Sequence, residues 1–231
     1  CEFTDLQKHD LNLVLQKRYA LLNWQQGSGK TAAVYHRAKY LLKFRKTRNV
    51  IILAPAIATN MTWIPFLTVN KERFRTIQTA GDLDNVPEGT FLVVSTSMLR
   101  KLKRGLMRFV KRTSGKLCLV FDESDEITNP TSQRTRNVLC IFRRLRYKIL
   151  DTGTTTRNNI AELYSQFELL YNNSVNMICW SPQVYHENRD REIEEENNPD
   201  YGTPFPAFRG HVLFRACHCP GKATVFGIEK Q

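Results

Sequence analysis

Residues 19–31 read YALLNWQQGSGKT, and the fold turns on how this stretch is interpreted. Tyr19 to Trp24 is an apolar run of strand length. A turn holding Gly27 and Gly29 comes next, and then a helix-like stretch over 30–46 that sets Ala33, Ala38, Leu41, Leu42 and Phe44 among charges. A strand, a glycine turn and a helix N-terminus make an anion cradle, because backbone N–H groups and the helix dipole face the same point. In such a cradle Gly27 and Gly29 permit the tight path on either side of Ser28, Lys30 reaches β- and γ-phosphates, and the Thr31 hydroxyl ligates Mg²⁺. Trp24 stands where the full eight-residue phosphate-loop pattern begins with Gly, so the match is to its GxGKT end. An ordinary turn before a helix is the plainer alternative.

Outward from this loop the two periods keep alternating. NVIILAP (49–55), TFLVVS (90–95), KLCLVFD (116–122) and YKILDTG (147–153) read as buried strands, and 131–145 and 158–170 carry helical spacing. The alternation predicts an α/β fold: a parallel sheet with helices on both faces, whose ligands bind beyond the carboxyl ends of the strands. From about Tyr171 the pattern decays. ENRDREIEEENNPDYGTPFPAF (187–208) joins an acidic run to three prolines, so the reading is one domain over 1–180 and an acidic linker with an irregular C-terminal extension over 181–231.

Two further stretches end strands with chemistry-bearing residues. LVFDESDEITN (119–129) places Asp122, 92 residues after Lys30, at a strand terminus, where it would hold Mg²⁺, usually through water. Glu123 beside it would orient or deprotonate an attacking water, and the turning backbone at the strand exit lets both acids face one site. Four acids in DESDE also suit a solvated turn. ILDTGTTTRNNIAELY (149–164) ends a strand in DTGT. Thr152 and Thr154, flanking Gly153, are placed to relay nucleotide state, although a simple cap by Asn158 or Asn159 explains the same residues.

The chain has 231 residues, 34 Lys and Arg against 22 Asp and Glu, and a formal charge of +12. That balance favours polyanionic partners. Residues 1–180 hold 28 basic and 14 acidic side chains, so the positive charge belongs to the first part. No apolar run approaches the roughly 18–20 residues of a membrane span, and no secretory signal opens the sequence. The expectations are therefore no membrane, a cytoplasmic or nucleoid-associated intracellular location, and six reduced Cys.

Taken together, these elements resemble the first RecA-like lobe of a superfamily-two helicase, with Swi/Snf-type DNA translocases the best likeness within it. The resemblance runs over about residues 7–171. It includes Gln7 in LQKHDLNLV, VIILAPAIATNMTW (50–63), FLVVSTSMLRK (91–101), FDESDEITNPTSQRT (121–135) and DTGTTTRNNIAELYSQFELL (151–170). Thr155 stands where the family has Pro, and Asp125 where these translocases usually have His. The resemblance implies a P-loop NTPase that takes ATP and Mg. Gln7 would read adenine, Lys30, Asp122 and Glu123 would be catalytic, and Thr59, Asn60, Thr96, Arg100 and Lys101 would touch nucleic-acid backbone. Thr152, Gly153 and Thr154 would carry the coupling. It also implies a second RecA-like lobe, in cis or in trans, whose arginines reach the γ-phosphate; no such lobe fits after residue 180. These 231 residues are thus expected to bind ATP and turn it over poorly by themselves.

RKLKRGLMRFVKR (100–112) holds seven basic residues in thirteen and RRLRYK (143–148) four in six. They read as phosphate contacts, indifferent to base sequence, or as solvated faces; that the nucleic acid is double-stranded DNA is what the resemblance implies. Cys217-His218-Cys219, with Cys179 and His211 elsewhere, offers a weak zinc pattern against reduced structural thiols. His9 and His36 belong to no constellation. The rival classes are a nucleotide-dependent DNA- or partner-binding module that does not hydrolyse, and a small-molecule kinase, which the acidic, Pro-rich late segment disfavours.

Overall fold

A computed structural model describes residues 3–113, 115–154, 160–171, 223–224 and 227–228. The chain divides into two compact units, one of residues 1–124 with 144–153, the other of 125–143 with 154–231. The domain boundary expected at residue 180, the extension beyond it apart from two short strands, and the Cys-His-Cys segment lie outside the described residues.

The first unit runs α1 (Asp5–Leu15), β1 (Tyr19–Asn23), α2 (Lys30–Lys43), β2 (Asn49–Ala54), a three-residue turn α3 (Ala56–Ala58), a π-helical turn over Thr59–Trp63, and α4 (Ile64–Val69). It continues with β3 (Phe74–Thr76), β4 (Phe91–Ser95), α5 (Leu99–Arg112), β5 (Leu117–Phe121) and, after the excursion of the second unit, β6 (Tyr147–Thr152). The six strands form one sheet in the order β1-β6-β5-β2-β4-β3, every pair parallel. The five strands expected from apolar runs are present to within a residue at each end. The sixth, β3, is a three-residue edge strand too short to show a period.

Alternate residues along the strands explain why both faces are covered. Val50, Ile52, Ala54, Phe91, Val93, Cys118, Val120 and Ile149 join one cluster with Ala33, Val34, Ala38 and Leu41 of α2. Their neighbours Ile51, Leu53, Leu92, Val94, Leu119, Phe121 and Leu150, which point the other way, are also fully buried. Strands buried on both sides must be near-continuously apolar, and these are. Each such side chain contributes roughly 1.5–3 kcal/mol when removed from water.

Local devices set the helices around the sheet. A capping box starts α1: Gln7 N–H donates to Thr4 Oγ1 and Thr4 N–H to Gln7 Oε1. The end of α1 and the turn after it are held by Arg37 of α2, a fully buried guanidinium that donates to the carbonyls of Val14, Lys17 and Arg18. Helix α5 buries Leu99, Leu102, Leu106 and Phe109 on one stripe and leaves Arg100, Lys101, Arg104, Arg108, Lys111 and Arg112 exposed. Gly105 sits on the buried stripe because a Cβ there would come within 3.0 Å of Ala80 Cβ.

The second unit contains a 3-10 turn ending at Ile127, α6 (Gln133–Phe142), a 3-10 turn at Ile160–Leu163 and α7 (Tyr164–Tyr171), with α6 packed on α7. Ser132 caps α6 by accepting from Thr135 N–H at 3.1 Å, and Arg134 pairs with Glu126 at 3.1 Å. The strands β7 (Ala223–Thr224) and β8 (Gly227–Ile228) pair antiparallel.

Candidate nucleotide-binding site

Strand order builds the site. With β6 between β1 and β5, the loop after β1, the turn after β6 and the acidic turn after β5 emerge side by side at the carboxyl edge of the sheet. Register sharpens this: Leu22 pairs with Asp151, Asn23 with Thr152, and Phe121 with Leu150, so Asp122 leaves β5 level with Asp151.

The glycine loop has the geometry its sequence requires. Gly27 has φ 74° and Gly29, the N-cap of α2, φ 80°, a region costly for any residue bearing a Cβ. Ser28 Oγ donates to the Gln25 carbonyl at 2.6 Å. Lys30 Nζ is turned back into its own loop, donating to the carbonyls of Trp24 at 3.1 Å and Gln25 at 3.2 Å. Gly153 lies against this loop, since a Cβ there would stand 3.1 Å from Gln26 Cγ and 3.5 Å from Lys30 Nζ. Helix α1 closes over from the other side: Gln7 Nε2 donates to the Ser28 carbonyl at 2.7 Å, and Trp24 Nε1 donates to Asp10 Oδ2 at 3.1 Å. Both ends of the Gln7 amide are therefore engaged, one by its capping box and one by the loop.

On β5, Asp122 is buried, its N–H donating to the Leu53 carbonyl at 2.9 Å and its Oδ2 accepting from Trp63 Nε1 at 2.7 Å. Glu123, partly exposed, has φ 55°. Left-handed backbone at a non-glycine residue costs roughly 1–2 kcal/mol. Here it turns the chain at the strand exit, so consecutive acids need not point to opposite faces.

Asp151 is 1% exposed, and no N–H or O–H of the described residues donates to either of its carboxylate oxygens. Burial pushes its acid form well up, the negative charge of Asp122 and a hydrogen bond shared with it push further, and Glu123 adds to this, while the Lys30 ammonium opposes it. The two observations agree if the proton resides on Asp151, since the protonated acid donates to Asp122 and no other group donates to it. Lys30, Asp122, Glu123 and Asp151 thus share one electrostatic neighbourhood, brought together from three strand ends. A polyphosphate with a divalent cation suits this set: the ammonium donates to loop carbonyls that phosphate oxygens can replace, and two buried acids share a proton that a cation would displace.

The remaining expected residues of the first unit follow the ends of β1, β2 and β4 or close β6. Thr31 is in the first turn of α2. Thr59 is buried with its hydroxyl toward the Ala54 carbonyl at 3.5 Å, and Asn60 is exposed in the same π-helical turn. Thr96 is buried, while Arg100 and Lys101 are exposed at the start of α5. Thr152 is buried at the end of β6, and Thr154 is exposed in the second unit. His9 and His36 are exposed on α1 and α2, His36 in edge contact with Phe3 and Tyr35. Sequence reasoning passed over Asp151 and gave no role to Trp63. The strand ending in Asp-Thr-Gly was visible, but which carboxylate faces inward depends on register with β5.

No family model matches the chain. It is 26% identical over 175 residues to the ATP-dependent helicase FUN30 of Saccharomyces cerevisiae, a match covering 71% of this chain and 15% of that protein. Among solved structures, it superposes on the Sulfolobus solfataricus SWI2/SNF2 ATPase core in complex with dsDNA with TM-score 0.57 and 15% identity, over 94% of this chain and 44% of the other. The Sulfolobus solfataricus SWI2/SNF2 ATPase core domain gives TM-score 0.57 and 16% identity over 93% and 42%. The chain therefore spans less than half the length of each of these relatives. In fold it is a RecA-like parallel α/β domain similar to that of a SWI2/SNF2 ATPase core, and in sequence and fold it resembles the first lobe of a Swi/Snf-type superfamily-two helicase.

Proposed function

We propose that this chain is the ATP-binding first lobe of an ATP-dependent DNA translocase of Swi/Snf type, which holds Mg-ATP and the backbone of duplex DNA and hydrolyses efficiently only when a second RecA-like lobe closes on it. The observation that carries the reading is the convergence of Lys30, Asp122 and Glu123 around the end of β6. The relatives, an ATP-dependent helicase and an ATPase core in complex with dsDNA, support it.

In this reading Lys30 exchanges its two loop carbonyls for β- and γ-phosphate oxygens, and the N–H groups of residues 27–31 line the phosphates. Thr31 and Asp122 are the residues that would hold Mg²⁺, which when bound neutralises phosphate charge and fixes the terminal phosphate. Glu123 orients the attacking water and takes its proton. Gln7 reads the adenine edge, its grip on the Ser28 carbonyl tying base recognition to the loop. Asn60, Arg100 and Lys101 present donors to DNA phosphates, with Thr59 and Thr96 shaping their turns. Thr152, Gly153 and Thr154 pass nucleotide state onward, Gly153 because it touches the loop that holds Lys30. The lobe would occupy residues 1–180 and act inside the cell.

Arginines from a second lobe are worth roughly 10³–10⁵ in rate in related NTPases, so the chain alone should bind far better than it turns over. The test is calorimetric titration with ATP and Mg²⁺, comparing wild type with Lys30→Ala. Binding that survives Lys30→Ala unchanged rejects the reading. Glu123→Gln separates a motor from a module that only binds, since it should stop hydrolysis by the two-lobed protein and leave nucleotide affinity within about threefold.

A further inference from the structure

Among the buried side chains of the first unit to which no described residue donates are Thr47 and Asp151, and of the two only Asp151 is acidic and stands at the glycine-loop edge. It is 1% exposed, no N–H or O–H of the described residues donates to either oxygen, and it stands level with Asp122, the acid with which it shares a proton, across the β5–β6 pair. A buried acid that receives no donor is destabilising, so such a group either serves another state of the protein or should have been replaced by something apolar. Leu22, its register partner on β1, shows that the position tolerates an apolar neighbourhood. What distinguishes the surroundings of Asp151 is the company of Asp122, Lys30 and Glu123.

We propose that Asp151 is a second acidic ligand of the magnesium–phosphate group, acting on the cation or on its bound water from β6 while Asp122 acts from β5. The proposal rests on the nucleotide-binding reading and adds to it a residue outside the glycine loop and the Asp-Glu pair. Two carboxylates and the Thr31 hydroxyl are too few to close an octahedral Mg²⁺ shell. Among the described residues no group of three or more His, Cys, Asp or Glu side chains is arranged to hold a metal by itself. Phosphate oxygens and water must supply the remainder. The cation site is therefore formed only with nucleotide present, and Asp151 affects metal affinity in the ternary complex rather than nucleotide affinity alone.

Asp151→Asn distinguishes this from a purely structural role. The amide has nearly the shape of the protonated acid and can still donate to Asp122, but it is a much weaker metal ligand. The experiment is Mn²⁺ titration of the full chain saturated with ADP, read by the loss of the free-ion electron paramagnetic resonance signal, alongside ADP binding in EDTA. The expected result is a 10- to 100-fold loss of Mn²⁺ affinity in Asp151→Asn, with ADP affinity in EDTA within twofold of wild type. Unchanged Mn²⁺ affinity overturns the proposal and leaves the nucleotide reading standing. Wild-type protein that binds no ADP in either condition overturns both. Should Asp151→Asn fail to fold, Asp151→Ser leaves room for a water at the carboxyl position and carries the same expectation.

Discussion

Trp63, fully buried at the end of the π-helical turn, donates its indole N–H to Asp122 Oδ2 at 2.7 Å. One bond thereby links the segment after β2, which carries the exposed Asn60, to the acidic residue at the end of β5. It occupies one oxygen of the Asp122 carboxylate and restrains its rotamer. Trp63→Phe keeps most of the buried ring and removes only the donor. It should cost about 1–3 kcal/mol in stability by leaving a buried acceptor short, lowering Tm by roughly 2–4 °C per kcal/mol. Thermal melts check this, and a variant as stable as wild type would show the bond to be incidental.

The Asp151 carboxyl predicts a pH dependence. Its folded-state acid is raised above the unfolded value of about 3.9, chiefly by burial. Between those two values the folded chain binds more protons than the unfolded one, so this group's contribution to stability falls as pH rises through that window. Asp151→Asn removes the titration. The nucleotide-free variant should melt higher than wild type at neutral pH, and the gap should close toward pH 4. Equal melting temperatures at pH 7 would contradict the assignment of a buried acid that receives no donor.

Arg100 and Lys101 stand exposed at the start of α5, whose opposite stripe is buried. Replacing both with Gln should weaken duplex-DNA binding similarly for every sequence and reduce the slope of log K against log salt by about 1 per lost contact. Fluorescence anisotropy at several salt concentrations measures it. An unaltered slope would make this face merely solvated.

Gln7 is placed by a capping box and a 2.7 Å bond to the Ser28 carbonyl. Gln7→Ala should weaken ATP binding by about tenfold while changing affinity for inorganic triphosphate much less, because losing the capping box and the Ser28 bond affects both ligands and losing the base contact affects ATP alone. Competition titrations with the two ligands separate these cases. Equal losses for both would mean that Gln7 serves only to shape the loop.

The sheet and the loop could be read in the sequence because their signals are local. Apolar runs such as NVIILAP mark strands buried on both faces, and Gly27 and Gly29 mark backbone that no other residue adopts cheaply. What escaped is set by pairing. β3 has three residues and no period, and Arg37 reads as one more helix charge although it is buried and anchors the turn after α1. Asp151 resembles any polar residue at a strand end until its register beside Asp122 is known. The turn at Glu123 was expected from the chemistry of adjacent acids, and its positive φ supplies the geometry.

The central claim is that Lys30 and Asp122 serve one triphosphate–magnesium group. A crystal structure of the chain with Mg²⁺ and a non-hydrolysable ATP analogue tests it most directly. The account predicts Lys30 Nζ within hydrogen-bond distance of a β- or γ-phosphate oxygen, having left the Trp24 and Gln25 carbonyls. It also predicts Mg²⁺ bridging that phosphate to Thr31, with Asp122 on the cation or on its water. An analogue bound elsewhere, or Lys30 still on its loop carbonyls with Asp122 remote from the cation, would contradict it.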